Sequence, residues 1–306
     1  MLDIVIVNWN SGKYLLGTVK SIVLRENEAN IQNIFIIDNH SSDNSLSLLP
    51  MHPKITIICN KTNLGFAKAC NQGFQLCNTK YVLLLNPDVR LLDNSLKECA
   101  QFMEEHPNVD ILGCQLLDDE GKITSSCARF PTPLHIFYDA SGLSKILPKL
   151  FKPATLMTDW DHQTSRFVPQ VMGAFMWMPQ SIFKKIGFFD ERYFVYFEEL
   201  DFSKRLAENK GLSYFNAEIK CIHSGGGTTN QVKSFRLFLF WQSRLQYAKK
   251  HFSIFGYLIV ILCTYMIEPL SRCIFFLIKG NLKGIKEVGR GYQYLTKKKK
   301  KLQPIV

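Results

Sequence analysis

Along most of the chain, short apolar runs alternate with longer stretches in which apolar residues recur at a helical period. Residues 4–7, 34–37 and 81–85 are continuous apolar runs and 55–58 is apolar but for Thr56, each closed by polar or turn-forming residues. Runs of that length predict buried strands. Between them, Leu15, Leu16, Val19, Ile22 and Val23 fall on one face of a helix expected over 13–25, and a second helix opens within 63–73. A helix over 92–103, strands over 109–113, 171–178 and 212–215, and a short helix over 181–186 continue the pattern. Strands and helices in alternation predict an α/β fold, a mostly parallel sheet with helices on both faces.

In such sheets the carboxyl ends of the strands bind ligands. The run Tyr-Val-Leu-Leu-Leu stops at Asn86-Pro87-Asp88, and Pro87 neither donates to a ladder nor lets Asn86 settle into a helix. The strand therefore delivers one carboxylate, Asp88, to the open edge. A plain turn uses the same residue types, so the argument depends on the other strand ends. Asp38 directly follows a strand, where it either accepts from a nucleotide base or ribose or shapes the Asp38-Asn39 turn. Gly65, at a helix entry, lets backbone amides approach an anion, although a helix entry needs no ligand. Glu198, Glu199 and Asp201 crowd three carboxylates into four residues. On a helix Glu198 and Asp201 share a face and Glu199 points elsewhere. The helix dipole alone would favour acids there, but flanking aromatics argue that at least one acid turns inward. His223 precedes the glycines 225–227, a backbone that can wrap an anion beside an imidazole able to reach metal or phosphate. Taken alone, a histidine in that position is more often structural.

Charge changes the picture once it is located. The net charge is +11, but from Arg272 onward ten Lys or Arg face one acid, Glu287, so +9 belongs to a C-terminal tail. These bases follow an apolar segment and lack interleaved aromatic platforms beyond Tyr292 and Tyr294, which argues against a nucleic-acid partner. Nine scattered cysteines without a C-x-x-C pair predict reduced thiols and no zinc site. The N-terminus enters a strand without a basic n-region, so no signal peptide is expected and the folded part should face the cytoplasm. Residues 125–168, punctuated by Pro131, Pro133, Pro148 and Pro153, read as a long surface excursion that frames a site.

Seven segments occur in a telling order: I-V-I-V-N-W-N (4–10), D-N-H-S-S-D (38–43), N-L-G-F-A-K-A-C-N-Q-G (63–73), L-L-L-N-P-D (83–88), G-A-F-M-W-M (173–178), G-F-F-D-E-R-Y-F-V-Y-F-E-E-L-D-F (187–202) and H-S-G-G-G-T (223–228). Together they resemble glycosyltransferase family two, the inverting nucleotide-sugar transferases of GT-A fold. The likeness is strongest to the bacterial branch that makes rhamnose- or galactofuranose-containing surface polysaccharides. The resemblance implies a GT-A-type mostly parallel sheet with a Rossmann-like nucleotide-binding half, spanning 1–250. It assigns nucleotide-sugar contacts to Asn8, Asp38, Asn63, Gly65, Asn71, Asn86, Gly173 and Ala174. Asp88 takes the place of the metal-binding aspartate of the family's D-x-D, with His223 a second ligand to Mg2+ or Mn2+ or to the diphosphate. Glu199 stands where the family carries its general base, usually Asp, with Glu198 and Asp201 as acidic support. The expected donor is a nucleotide-diphosphate sugar, dTDP-rhamnose among the candidates, and the expected acceptor a lipid-linked or polysaccharide glycan.

Residues 251–306 read as apolar helices with a basic tail. The apolar stretch 252–267 is interrupted by Glu268-Pro269 and Arg272 before 274–278 resumes. A span takes about 20 apolar residues, and a joined span would bury Glu268 and Arg272 at roughly 2.5–3.5 kcal/mol each. A single crossing would also place the lysines opposite a cytoplasmic domain. A peripheral or monotopic anchor on the cytoplasmic face, its lysines toward anionic lipid, is expected instead; a core helical hairpin is the competing possibility. Two other functions share parts of this pattern. A sugar-phosphate nucleotidyltransferase needs a Gly-rich loop after the first strand, where residues 8–13 offer only Gly12. A catalytically inactive, transferase-like scaffold of a membrane polysaccharide assembly complex would favour loss of Asp88, His223 or the acids at 198–201, all of which are present.

Overall fold

A computed structural model describes residues 1–25, 29–225 and 233–296. The chain runs β1 (Leu2–Asn8), α1 (Lys13–Val23), β2 (Ile31–Asp38), β3 (Ile55–Cys59), α2 (Phe66–Leu76), β4 (Tyr81–Leu85), β5 (Val89–Leu91), α3 (Ser95–Glu105) and β6 (Ile111–Leu117). Short strands β7 (Ile123–Thr124) and β8 (Cys127–Ala128) lead to helices α4 (Pro133–Ser141) and α5 (Leu143–Ile146). Then follow β9 (Arg166–Val168), β10 (Gln170–Val171), β11 (Phe175–Pro179), α6 (Ile182–Ile186), α7 (Glu198–Glu208) and β12 (Ser213–His223). Helices α8 (Lys233–His251), α9 (Ile254–Leu262), α10 (Glu268–Ile278) and α11 (Leu282–Thr296) complete it. The chain divides into two compact units, one of Met1–Ala128, Trp160–Glu191 and Glu198–Thr228, the other of Arg129–Asp159, Arg192–Phe197 and Thr229–Val306.

The first unit is built on a sheet of order β3-β2-β1-β4-β11-β6-β12-β5. Strands β3, β2, β1 and β4 are mutually parallel. The chain steps outward from β1 to β3 and then returns to the other side of β1 as β4, and this reversal opens a crevice at the carboxyl ends of β1 and β4. Every residue of β1 and β4 is buried, which is why 4–7 within β1 and all of β4 read as apolar runs instead of alternating ones. Helix α2 lies so close over β1 that a Cβ on Gly73 would sit 2.3 Å from Val5 Cγ1. Strand β11 runs antiparallel to β4 with Phe175 opposite Leu85. Strand β12 runs parallel to β6, shifts register between Asn216 and Lys220, and pairs antiparallel with β5, His223 opposite Val89.

The second unit is helical. Where the sequence suggested two apolar pieces, α9, a π-helical turn at Cys263–Ile267 and α10 form one continuous helix, Ile254–Ile278. The amide that Pro269 lacks falls where the bonding pattern changes from π to α, so the proline does not break the helix. This is the one helix among the described residues long and apolar enough to cross a membrane, by length and composition. Its inner face carries a buried charge network. Glu268 receives Arg244 Nη2 at 2.6 Å and Arg272 Nε at 2.7 Å, and Arg244 also donates to Thr264 Oγ1 at 2.7 Å. Tyr292 from α11 donates to the Thr264 carbonyl in the π turn at 2.6 Å and stacks on Trp241 with ring centroids 4.1 Å apart. Burial pushes the Glu268 carboxyl up, but Arg244 and Arg272 outweigh it, and the net displacement is below the usual 4.5.

Glu268→Ala leaves Arg244, 4% exposed, as an uncompensated buried charge, and an expected loss of about 3–5 kcal/mol is measurable by urea denaturation. The double replacement of Arg244 and Glu268 by leucine should lose far less. Because the folded pKa is depressed, the contribution of the pair is full above pH 4.5 and is lost as pH falls through the folded value. An equal loss in both variants at pH 7 would contradict this account.

Candidate functional site

At the ends of β1 and β2, Asn8 and Asp38 are register partners. Asn8 Nδ2 donates to Asp38 Oδ1 at 2.8 Å and to Ser45 Oγ at 2.9 Å, while the Ser41 amide donates to Asp38 Oδ2 at 3.1 Å. Asp38 is 4% exposed, and Asn8 Oδ1 is buried without a partner among the described residues. The loop after β1 is tied to the loop after β2: Asn10 Oδ1 accepts from the Ser42 amide at 2.8 Å, and Asp43 Oδ2 accepts from the Gly12 amide at 2.7 Å. Gly12 needs its freedom there, at φ +53°. The result is a fixed concave rim carrying one carboxylate and one amide.

Asn39, which sequence reasoning treated only as a turn residue, organises the next loop. Its Nδ2 donates to Asn63 Oδ1 at 2.8 Å and to the Gly65 carbonyl at 3.2 Å, and its Oδ1 accepts from the Leu64 amide at 2.9 Å. Asn63 Oδ1 also accepts from the Gly65 amide at 2.9 Å. Gly65 then caps α2 at φ +88° with no side-chain cap, which leaves first-turn amides open to an anion. Asn71, on the same helix, points away from that entry. Its amide clasps the Phe189 backbone through both N–H and C=O and reaches Glu191 Oε1 at 3.1 Å, holding the segment before the acidic helix.

At the end of β4, the Asn86 amide donates to the Ala174 carbonyl at 2.9 Å, and buried Thr18 donates its hydroxyl to the Pro87 carbonyl at 2.8 Å. This brace fixes the turn from which Asp88 projects. Pairing of β5 with β12 brings His223 back alongside, with Nε2 3.3 Å from Asp88 Oδ1, and the Ser224 amide donates to the Asp88 carbonyl at 3.1 Å. Asp88 and His223 thus present a carboxylate oxygen and an imidazole nitrogen to one point. Among the described residues there is no group of three or more His, Cys, Asp or Glu that could hold a metal. Of these two groups the Asp88 carboxylate is the kind of oxygen ligand a hard divalent cation takes, whereas the imidazole nitrogen is the softer one. Gly226, Gly227 and Thr228 of the glycine run lie outside the described residues.

The acidic helix α7 stands beside the Gly173-Ala174 turn: a Cβ at Gly173 would meet Glu199 Cβ and Cγ at 3.7 Å. Asn86, Gly173, Ala174 and Glu199 therefore ring one junction, with Asp88 two residues beyond Asn86. Glu198 is 2% exposed and Glu199 partly buried, and Oε2 of each lacks a partner among the described residues. Burial, then the charge of Glu199, raises the Glu198 carboxyl well above its usual value; burial also raises Glu199, against opposition from first-turn amides and a hydrogen bond with Glu198. Of the two, Glu198 is pushed further up. Asp201 is committed elsewhere, to Arg205 Nε at 2.9 Å, and Arg205 in turn holds the Ile186 and Phe188 carbonyls. Just before α7, Tyr196 and Phe197 take φ of +69° and +70°. Left-handed conformations at consecutive bulky residues are strained, and strain of about 1–3 kcal/mol each concentrates at functional sites. No sequence pattern signalled it.

A family model described as "Glycosyl transferase family 2" matches residues 3–187. The N-acetylglucosaminyl-diphospho-decaprenol L-rhamnosyltransferase of Mycobacterium tuberculosis is 22% identical over 247 residues, covering 76% of this chain and 78% of that protein. Among solved structures, the mannosyltransferase PcManGT from Pyrobaculum calidifontis, in complex with GDP-Man and Mn2+, aligns over 96% of this chain and 79% of its own length, with a TM-score of 0.57 at 12% identity. S. aureus TarS aligns over 92% of this chain with a TM-score of 0.50 at 16% identity, and the chain spans 43% of its length. These structural likenesses establish the GT-A fold.

The acid pair has a consequence for stability. A carboxyl whose folded pKa is raised contributes most below its unfolded value and is destabilising once pH rises through the folded one. Glu198→Gln should therefore raise the melting temperature at pH 7–8, with the gain shrinking toward pH 4.5, the usual carboxyl value. Thermal unfolding across that range reads it directly, and a gain independent of pH would rule out the buried carboxyl as its source.

Proposed function

The chain belongs to glycosyl transferase family 2 and is a nucleotide-sugar glycosyltransferase, and we propose that it transfers one sugar, with inversion, to a lipid-linked or polysaccharide acceptor in surface-glycan synthesis. The observation that carries the reading is the convergence at the β4–β11 junction. Asp88 and His223 meet 3.3 Å apart two residues beyond Asn86, whose amide bonds Ala174, and Glu199 lies against the adjoining Gly173.

In this reading Asp38 and Asn8 hold the base and ribose, and the amides opened by Gly65 help hold the diphosphate. Asp88 and His223 would hold Mg2+ or Mn2+, which supplies positive charge opposite the diphosphate; the likeness to a transferase solved with Mn2+ supports a divalent cation generally. Asn86, Gly173 and Ala174 shape the sugar's floor. Glu199 removes the proton from the acceptor hydroxyl as its oxygen bonds to the anomeric carbon. The bond from that carbon to the diphosphate breaks with its electron pair leaving on the nucleoside diphosphate, so one in-line step inverts the centre. Glu199 is suited to this because burial raises its basicity. Glu198, protonated beside it, keeps one charge instead of two at the helix start.

The name of the mycobacterial relative, a rhamnosyltransferase acting on a diphospho-decaprenol, supports rhamnose as the donor sugar and a polyprenyl-linked acceptor. Such an acceptor lies in a membrane, and the apolar helix Ile254–Ile278 supports work at a membrane surface.

Release of nucleoside diphosphate from a panel of nucleotide sugars, with lipid-linked acceptor extract, tests the scheme. One donor should turn over, and EDTA and Asp88→Ala should each abolish turnover. Glu199→Gln should lower kcat by about 10²- to 10⁴-fold with donor affinity retained, and the acid limb of wild-type kcat/KM should lie above pH 4.5. Full turnover by Glu199→Gln would remove it as the base, and tight donor binding with no turnover under any condition would favour a scaffold.

A further inference from the structure

The helix Ile254–Ile278 is turned inside out for a water-soluble protein. Every fourth residue along it, from Ile254 through Leu262 and Leu270 to Ile278, is an exposed apolar side chain, whereas Val260, Thr264 and Glu268 are buried. The charged network around Glu268 holds the polar face inward, against α8 and α11. A row of this kind is far more than the scattered apolar exposure normal for a surface.

A second segment, distant in sequence, carries the same signature. Ile146, Leu147 and Leu150 are exposed, interspersed with exposed Lys145, Lys149 and Lys152. Helix α4, which leads into this segment, packs on α9 and α10, and Ser271 donates its hydroxyl to the Ala140 carbonyl. The two segments meet at Phe275, whose ring has Lys145 Nζ 5.6 Å and Lys279 Nζ 4.6 Å from its centroid.

We propose that residues 143–152 and the exposed ridge of Ile254–Ile278 form one lipid-docking surface, with an apolar centre and a lysine rim, that lies in the plane of an anionic bilayer. The proposal rests on the membrane-surface reading above and names the surface and the lipid class. Charge decides the occupant. A second copy of the chain would bring Lys145, Lys149 and Lys152 against like charges, whereas anionic headgroups neutralise them and their aliphatic stems reach along the apolar centre. In-plane seating follows because only one face of the helix is apolar and free, and the other is filled by ion pairs.

The test is flotation of the full chain with phosphatidylcholine vesicles, with and without phosphatidylglycerol, alongside donor turnover and urea unfolding. Leu147→Ser with Leu150→Ser, at positions 52% and 70% exposed, should leave unfolding unchanged and weaken vesicle binding by roughly tenfold or more. Lys145→Glu with Lys149→Glu should erase the preference for phosphatidylglycerol. Unchanged binding by the leucine variant, while Leu277→Ser with Ile278→Ser loses it, would overturn the two-part surface and leave the membrane reading standing. Wild-type protein that turns over donor but binds neither vesicle would overturn both. Dimers in buffer that the leucine variant dissolves would assign the surface to a second copy and overturn the proposal.

Discussion

Everything chemical in the first unit depends on how β4 ends. The strand is buried on both faces and paired on both edges, parallel to β1 and antiparallel to β11, so its direction cannot vary. Pro87 removes the amide that would extend the ladder. The chain must turn there, with Val89 N returning to the Asn86 carbonyl at 3.2 Å, and Asp88 is the residue left at the edge. The short pairing of β5 with β12 then sets His223 opposite Val89. A shift of one residue in that register would send the imidazole to the other face of the sheet.

The acid pair on α7 obeys a different constraint. Two adjacent carboxyls removed from water cannot both ionise cheaply, and burial raises each before the partner's charge is counted. Sharing one proton resolves this. The hydrogen bond between the two carboxyls raises Glu198 and lowers Glu199, and the amides of the first helical turn also oppose the rise at Glu199. Glu199 packs alongside Gly173, where even an added Cβ would stand in ordinary contact at 3.7 Å.

Much of this was legible in the sequence, because strands buried on two faces announce themselves as short apolar runs and the residue after each run is at the sheet's edge. Asp38 and Asp88 stood out that way, whereas His223 stood out by the glycines after it. Other features had no local signal. Asn71 carries a motif position, yet its partner Phe189 is 118 residues away, and no periodicity reports such a bond. Asn39 looked like a turn residue because a turn and a loop organiser use the same amide. Helix Ser95–Glu105 starts later than its apolar pattern because Asn94 takes φ +64°, a backbone choice invisible in composition. The excursion at 125–168 lacked a period because it packs through scattered contacts, within itself where Arg129 donates to the Pro153 carbonyl at 3.1 Å, and on a C-terminal helix where α4 lies on α9.

Glu268 and Arg272 were weighed in the sequence as costs against a membrane span, and their place in the fold gives them a second meaning. A buried ion network contributes little net stability compared with well-packed apolar groups, so its value lies in what it forbids. Any rotation of Ile254–Ile278 that hid the apolar ridge would carry Glu268, together with its helix partner Arg272, away from Arg244 and leave Arg244 a buried, unpaired charge. Apolar residues alone would not resist such a rotation, since either face could then turn inward. The network therefore acts as a key that fixes which face of the helix is presented outward, and it holds that face apolar even in water, ahead of any partner that covers it.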